Sequence, residues 1–118
     1  MRPNPAAAVE CWELLHEAVL ELATRRSTPR QRLLGIAEQQ LLAVTEVARD
    51  LPDAELRAWI ARLSQTIYAR ANRPSRRAAF STINAMSDEN VDTTLLDVVA
   101  LYDEMTRFEV ILRMRAAA

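Results

Sequence analysis

The sequence predicts an all-α fold, an up-and-down bundle of about five helices that forms a single helical-bundle domain over residues 1–118. Three observations carry this. Apolar residues recur at alternating spacings of three and four along most of the chain, no segment has the period-two alternation of a strand, and helix-cap and proline signatures punctuate the pattern. Half of the residues are apolar and 26% are charged, which suffices for one core and is too hydrophobic for a disordered chain.

The first helix opens with Asn4 as its cap and Pro5 in its first turn, and its stripe runs Ala8, Trp12, Leu15, Val19 and Leu22 as far as Thr24. Thr28, Pro29 and Gln31 then spell a capping box with a first-turn proline, so a second helix begins there. Its stripe is Leu34, Ala37, Leu41, Val44, Ala48 and Leu51, and it ends at the turn Asp50-Leu51-Pro52-Asp53. A third helix from about Asp53 turns Leu56, Trp59, Ile60, Leu63 and Ile67 inward and stops before Pro74. Ser75 caps a shorter fourth helix bearing Ala79, Phe80, Ile83 and Met86, with a break over Ser87 to Asn90. From about Val91 the longest helix carries Val91, Leu95, Val98, Tyr102, Met105, Phe108 and Leu112, and Val99, Leu101, Val110 and Ile111 widen its apolar surface. A stretch of that length spans about 37 Å and offers more apolar area than four shorter partners need, which suggests a partner surface. Connections of a few residues imply antiparallel neighbours.

Several function classes fall away on composition. Gly35 is the only glycine and lies inside a helix, so a glycine-rich phosphate loop is impossible; its expected role is to allow a close helix crossing. Cys11 is the only cysteine, which removes an internal disulfide and a multi-cysteine zinc site, and its place on an apolar stripe predicts a small core residue. Glu13 and His16 have the spacing of a helical metal pair, but His16 is the only histidine; a solvated or hydrogen-bonded ring is the simpler expectation, and neither a metal site nor a histidine-based nucleophile is predicted. Asp88, Glu89 and Asp92 suit the positive end of a helix dipole better than acid–base chemistry. No catalytic residue, metal or cofactor is expected. No apolar run approaches the roughly 20 residues of a membrane span, and the N-terminus lacks a signal-peptide core, so the chain reads as cytoplasmic and without a membrane partner.

The placement of charge is the informative feature. The formal net charge is −1, yet all fifteen basic residues are arginine. Genome composition alone can produce that bias, although a guanidinium fork grips phosphates and carboxylates as an ammonium does not. In an up-and-down bundle the first-to-second connection, the third-to-fourth connection and the end of the last helix share one pole. That pole would gather Arg25, Arg26, Arg30 and Arg32, then Arg70, Arg73, Arg76 and Arg77, then Arg113 and Arg115. The other pole would collect Asp50, Asp53, Glu55, Asp88, Glu89 and Asp92. Arginines at helix C-termini follow from the helix dipole, whereas Arg30, Arg32, Arg76 and Arg77 fall in first turns, where positive charge is disfavoured. A basic pole of this kind would bind a nucleic-acid backbone, RNA or single-stranded DNA, without reading bases. A chain basic at one end and acidic at the other would also stack head to tail into an oligomer.

The chain's size, the helix Leu56 to Tyr68 followed by the arginine turn Arg70 to Arg77, and the closing apolar helix Leu95 to Met114 resemble the small helical subunits of CRISPR RNA-guided effector complexes. The resemblance is one of organisation, covers roughly the second half of the chain and rests on no specific motif. It implies a non-enzymatic ribonucleoprotein subunit of antiviral defence that lines the belly of the complex, stacks on other subunits and contacts backbone phosphates. Two other readings suit the same sequence. One is a protein-binding module, such as a phage inhibitor or toxin–antitoxin partner, that docks through its acidic end or its long last helix. The other is a chorismate-mutase-like helical enzyme, which would need its arginines in a buried pocket rather than beside turns.

Overall fold

The computed structural model describes residues 5–69 and 73–117. It contains six α-helices: α1 (Pro5–Thr24), α2 (Pro29–Ala37), α3 (Gln40–Val47), α4 (Ala54–Ile67), α5 (Arg76–Ala85) and α6 (Asp88–Ala117). A single 3₁₀ turn, Ala48–Asp50, follows α3, and there is no strand among the described residues. The all-α expectation holds, with six helices rather than five. The expected cap at Asn4 lies outside the described residues.

The added helix comes from a break in the second predicted one. At Gln39 the backbone leaves the helical region, at φ −127° and ψ −88°, while Glu38 before it is still right-handed helical. Neither glycine nor proline marks the spot, so local sequence gives no warning. The carbonyls freed by the break are taken by distant donors: the buried Tyr68 hydroxyl donates to Ala37 O at 2.7 Å, and Arg76 Nε donates to Glu38 O at 3.3 Å. Breaking there lets α3 lie along α1 while α2 packs against α5 and α6.

The remaining boundaries follow their caps. Thr28 accepts from Gln31 N while the Gln31 side chain accepts from Thr28 N, completing the capping box. Asp53 caps α4 through Leu56 N, and Ser75 caps α5 through Ala78 N. α4 ends at Ile67, well short of Pro74, with Tyr68 as its C-cap. Ser87 Oγ accepts from Asn90 N, so α6 starts at Asp88, inside the expected break, and runs for 30 residues.

α6 is the axis of the molecule. Thirty residues span about 45 Å, close to the 47 Å long dimension of the whole chain. α1 runs antiparallel along it: Trp12 Nε1 donates to Thr106 Oγ1 at 2.9 Å, and His16 Nδ1 shares a 2.8 Å hydrogen bond with the Tyr102 hydroxyl. Trp12 stacks on His16 with ring centroids 5.0 Å apart. α4 is also antiparallel to α6, pinned by Trp59 Nε1 donating to Asp97 Oδ1.

The core holds Cys11, Leu15, Leu33, Ile36, Val44, Leu51, Ile60, Ile67, Ile83, Val91, Val98, Leu101 and Met105. Two stripes are rotated by about one position from their expected phase. On α1 the buried set is Ala7, Ala8, Cys11, Leu15 and Ala18, leaving Trp12, Val19 and Leu22 half-buried. On α2 Leu33 and Ile36 are fully buried while Leu34 is not. Phe80, expected inside, is 58% exposed; Thr82 lies in the α5 core row instead. Cys11 is a core residue, and burial, with a smaller contribution from Glu10, pushes its thiol pKa up to about 12.

Gly35 does not serve a close helix crossing. It is helical without a positive φ, and a Cβ there would meet only the tip of Arg25, at 3.5 Å.

Candidate functional site

The break between α2 and α3 changes the geometry on which a single basic pole depends. α2 and α5 are antiparallel, because Arg30 Nη1 donates to Ile83 O while Arg76 Nε donates to Glu38 O. Arg30 and Arg76 therefore mark opposite ends of this helix pair, about 13 Å apart along a nine-residue helix. The α1–α2 corner with Arg25, Arg26, Arg30 and Arg32 faces the α5–α6 corner, and the α4–α5 connection with Arg73, Arg76 and Arg77 faces the α2–α3 break. The antiparallel α1–α6 pairing carries Arg113 and Arg115 to the far end of the long axis, beyond the first turn of α1. Of the ten arginines expected to converge, the nine described are thus divided among three places, and Arg70 lies outside the described residues.

The acidic pole is divided as well. Asp88, Glu89 and Asp92 stand beside the α1–α2 arginines, and Arg30 Nη2 meets Asp88 Oδ1 at 2.8 Å. Asp53 and Glu55 open α4, whose Trp59 meets Asp97, so they lie near the middle of α6 and not at either end. The α1–α2 corner pairs Arg30 with Asp88 and the α6 tail pairs Arg113 with Glu109, so the two ends do not divide into one basic and one acidic pole.

Several of the arginines have structural work inside the chain. Arg30 reaches Ile83 O near the end of α5, Arg32 Nη1 donates to Leu22 O near the end of α1 at 3.0 Å, and Arg76 reaches Glu38 O at the end of α2. Arg57 Nη1 donates to Leu51 O in the turn before α4. These carbonyls lie at helix ends and turns, where the intrahelical ladder runs out, and Ile83 O accepts from Met86 N as well as from Arg30. In an antiparallel neighbour the start of one helix lies beside the end of another. A guanidinium in a first turn, disfavoured by its own dipole, is therefore favoured by the adjacent one. Three of the four residues that the dipole argument left over, Arg30, Arg32 and Arg76, are explained this way. Arg113 is also engaged, with Nε 2.7 Å from the buried Glu109 carboxylate. Arg25, Arg26, Arg73, Arg77 and Arg115 are exposed, and their side chains make no hydrogen bond or ion pair among the described residues.

The grooves are open rather than enclosed. The one between α1 and α3, of about 480 Å³, presents Glu17, Glu38 and Glu46 with Arg76 at its edge, over Leu14 and Leu42. Arg30, Arg32, Arg49, Arg57 and Arg76 border open grooves. His16 is occupied with Trp12 and Tyr102 rather than aligned with Glu13. No group of three or more potential metal-ligating side chains occurs among the described residues. None of their helices is long and apolar enough to cross a membrane.

The surface feature that charge mapping misses is the outward side of α6. Of eight large apolar residues exposed among the described ones, five belong to this helix: Leu96, Val99, Val110, Ile111 and Met114. Leu96 and Met114 are 71% and 68% exposed, too open for core residues that a neighbour trims. Between the two apolar groups lies an ion-paired centre in which Arg107 Nη2 is 3.0 Å from Asp103 Oδ2. The inward row of α6 has its own residues, Val91, Thr94, Val98, Leu101, Met105 and Glu109, so the outward row is a second, separate face. Its signal was present in the breadth of apolar residues on the last helix. Which of them face away from the bundle depends on where α1 and α4 sit.

No family model, curated protein or solved structure matches this chain.

Proposed function

We propose that this chain is a non-enzymatic, cytoplasmic helical assembly subunit that docks on protein through the outward face of α6. The observation that carries the reading is the concentration of exposed apolar side chains on that one face, Leu96 and Val99 towards one end and Val110, Ile111 and Met114 towards the other. Scattered apolar residues are normal on a surface; a row of them along the longest helix is the mark of an interaction face.

The test places a photo-crosslinking residue at Val99, with Glu55 on α4 as an exposed control. The expected result in cells is a discrete protein adduct from position 99 and none from 55. Adding L96D and M114D should suppress that adduct while leaving the helicity of the purified chain unchanged by circular dichroism. An absent adduct, or one that survives the two aspartates, overturns the reading.

A second reading, the nucleic-acid-contacting subunit of an RNA-guided CRISPR effector complex, is supported by the arginines without internal partners. Arg25 and Arg26 are adjacent and exposed at the α1–α2 corner, and Arg73 and Arg77 flank the start of α5. Its test is a titration of single-stranded RNA against the native chain and the R25E/R26E variant at several salt concentrations. The reading expects binding that weakens with salt and is lost in the variant. Binding equal in both proteins, or absent from both, rejects these arginines as phosphate contacts.

A further inference from the structure

We infer that the outward face of α6 is a two-fold docking surface for a second copy of this chain, packed antiparallel along α6. The inference rests on the reading that this face docks on protein, and it names the partner.

The outward row runs Leu96, Ala100, Asp103, Arg107, Val110 and Met114, at spacings of four, three, four, three and four. All six are exposed. That is the seam of a two-stranded coiled coil, extending about 27 Å along the helix. The inward face of α6 is already used by α1, α2 and α4, so this seam has no partner within the described chain.

The order of residues in the seam selects the partner and its direction. A self-complementary interface requires that when one residue meets another, the second meets the first. Turn the seam end for end about the level of residue 105 and it reproduces its own complement. Leu96 then meets the second copy's Met114, Ala100 meets the second copy's Val110, and Asp103 meets the second copy's Arg107. Each pairing occurs twice, and the two apolar ends enclose two opposite-charge contacts. A parallel, in-register pairing would instead set aspartate against aspartate and arginine against arginine, which is destabilising. Val99 and Ile111 lie beside the seam and extend the apolar contact on its flanks.

Within one chain Asp103 and Arg107 also form an ordinary helical pair one turn apart, with Glu104 3.8 Å from the same guanidinium. Such exposed pairs contribute little to helix stability. A dimer adds a requirement that a solvated pair lacks: the charges at 103 and 107 must be opposite across the interface.

The experiment is sedimentation equilibrium of the purified full chain from micromolar to millimolar concentration, with circular dichroism to verify helicity. The native chain should show a monomer–dimer equilibrium. D103R places arginine against the second copy's Arg107, and R107D places aspartate against Asp103. Each variant should lose about 100-fold or more in dimer affinity. An equimolar mixture of the two variants should restore dimers, as should the double variant D103R/R107D, because opposite charges again face each other in both. A native chain that stays monomeric overturns the inference, as does dimerisation of the single variants at native strength or failure of the mixture and the double variant to associate. The Val99 adduct separates this from the docking reading. An adduct of twice the chain's mass agrees with the second copy, a different mass removes the second copy but leaves docking, and no adduct removes both.

Discussion

Gly35 sits in the interior of α2 at an ordinary helical backbone angle, with only the flexible end of Arg25 near its absent side chain. A glycine there adds unfolded-state freedom without a steric reason. Gly35→Ala is therefore expected to raise stability by about 0.5–1 kcal/mol, measured by urea denaturation, and a destabilised variant would reveal a contact that the static geometry lacks. The arginines teach a related lesson. Arg30, Arg32 and Arg76 look like surplus charge in the sequence because each is judged against its own helix. In space each answers a carbonyl at the end of another helix, and that carbonyl is tens of residues away for Arg30 and Arg76. Burial of Cys11 was legible because its spacing to the apolar stripe is local; the partners of the arginines were not, because they depend on long-range contact.

The element that most changes the molecule is the interruption between α2 and α3. Thr28, Pro29 and Gln31 announced the start of the helix without error, since a capping box is satisfied within four residues. Its end was not announced, because the Ala37 and Glu38 carbonyls are satisfied by Tyr68 and Arg76. Burial raises the pKa of the Tyr68 phenol above its ordinary value, so the hydroxyl stays protonated and able to donate. Tyr68→Phe keeps the ring and removes the donor. It should cost about 1–3 kcal/mol, read as a lower urea midpoint with an unchanged slope, because the carbonyl is left unpaired. An unchanged midpoint would mean that the break is held by packing alone. α6 shows the same division between local and distant causes. Its helical nature and length follow from periodicity. That it carries two apolar rows, one inward and one outward, follows from where α1, α2 and α4 happen to lie.

At the scale of the whole molecule, the path of the chain decides whether charges add. With one unbroken second helix the connections alternate between two poles, and ten arginines would gather at one of them. With the break, α2 pairs with α5, and the arginines divide among the α1–α2 corner, the start of α5 and the tail of α6. A single strand of RNA would then meet two or three of them at once rather than ten. The slope of log affinity against log salt in the titration of the native chain should accordingly be near −2, where a converged pole would give about −7. A steep slope would show that the groups act together despite their separation. The same chain path leaves the α6 seam uncovered over most of the long axis, which makes a protein surface the more continuous of the two candidate sites.

What the sequence determined by itself was the class of fold, the caps at Thr28, Asp53 and Ser75, most of the core of α4 and the absence of a glycine-built phosphate site. Each depends on residues within one or two turns of one another, where periodicity and capping act. Tertiary structure alone decided the break at Gln39, the phase of the buried faces on α1 and α2, the partners of the arginines and the outward face of α6. Those depend on which helix ends meet, and side chains can satisfy a distant carbonyl or leave a row exposed only after the helices have packed.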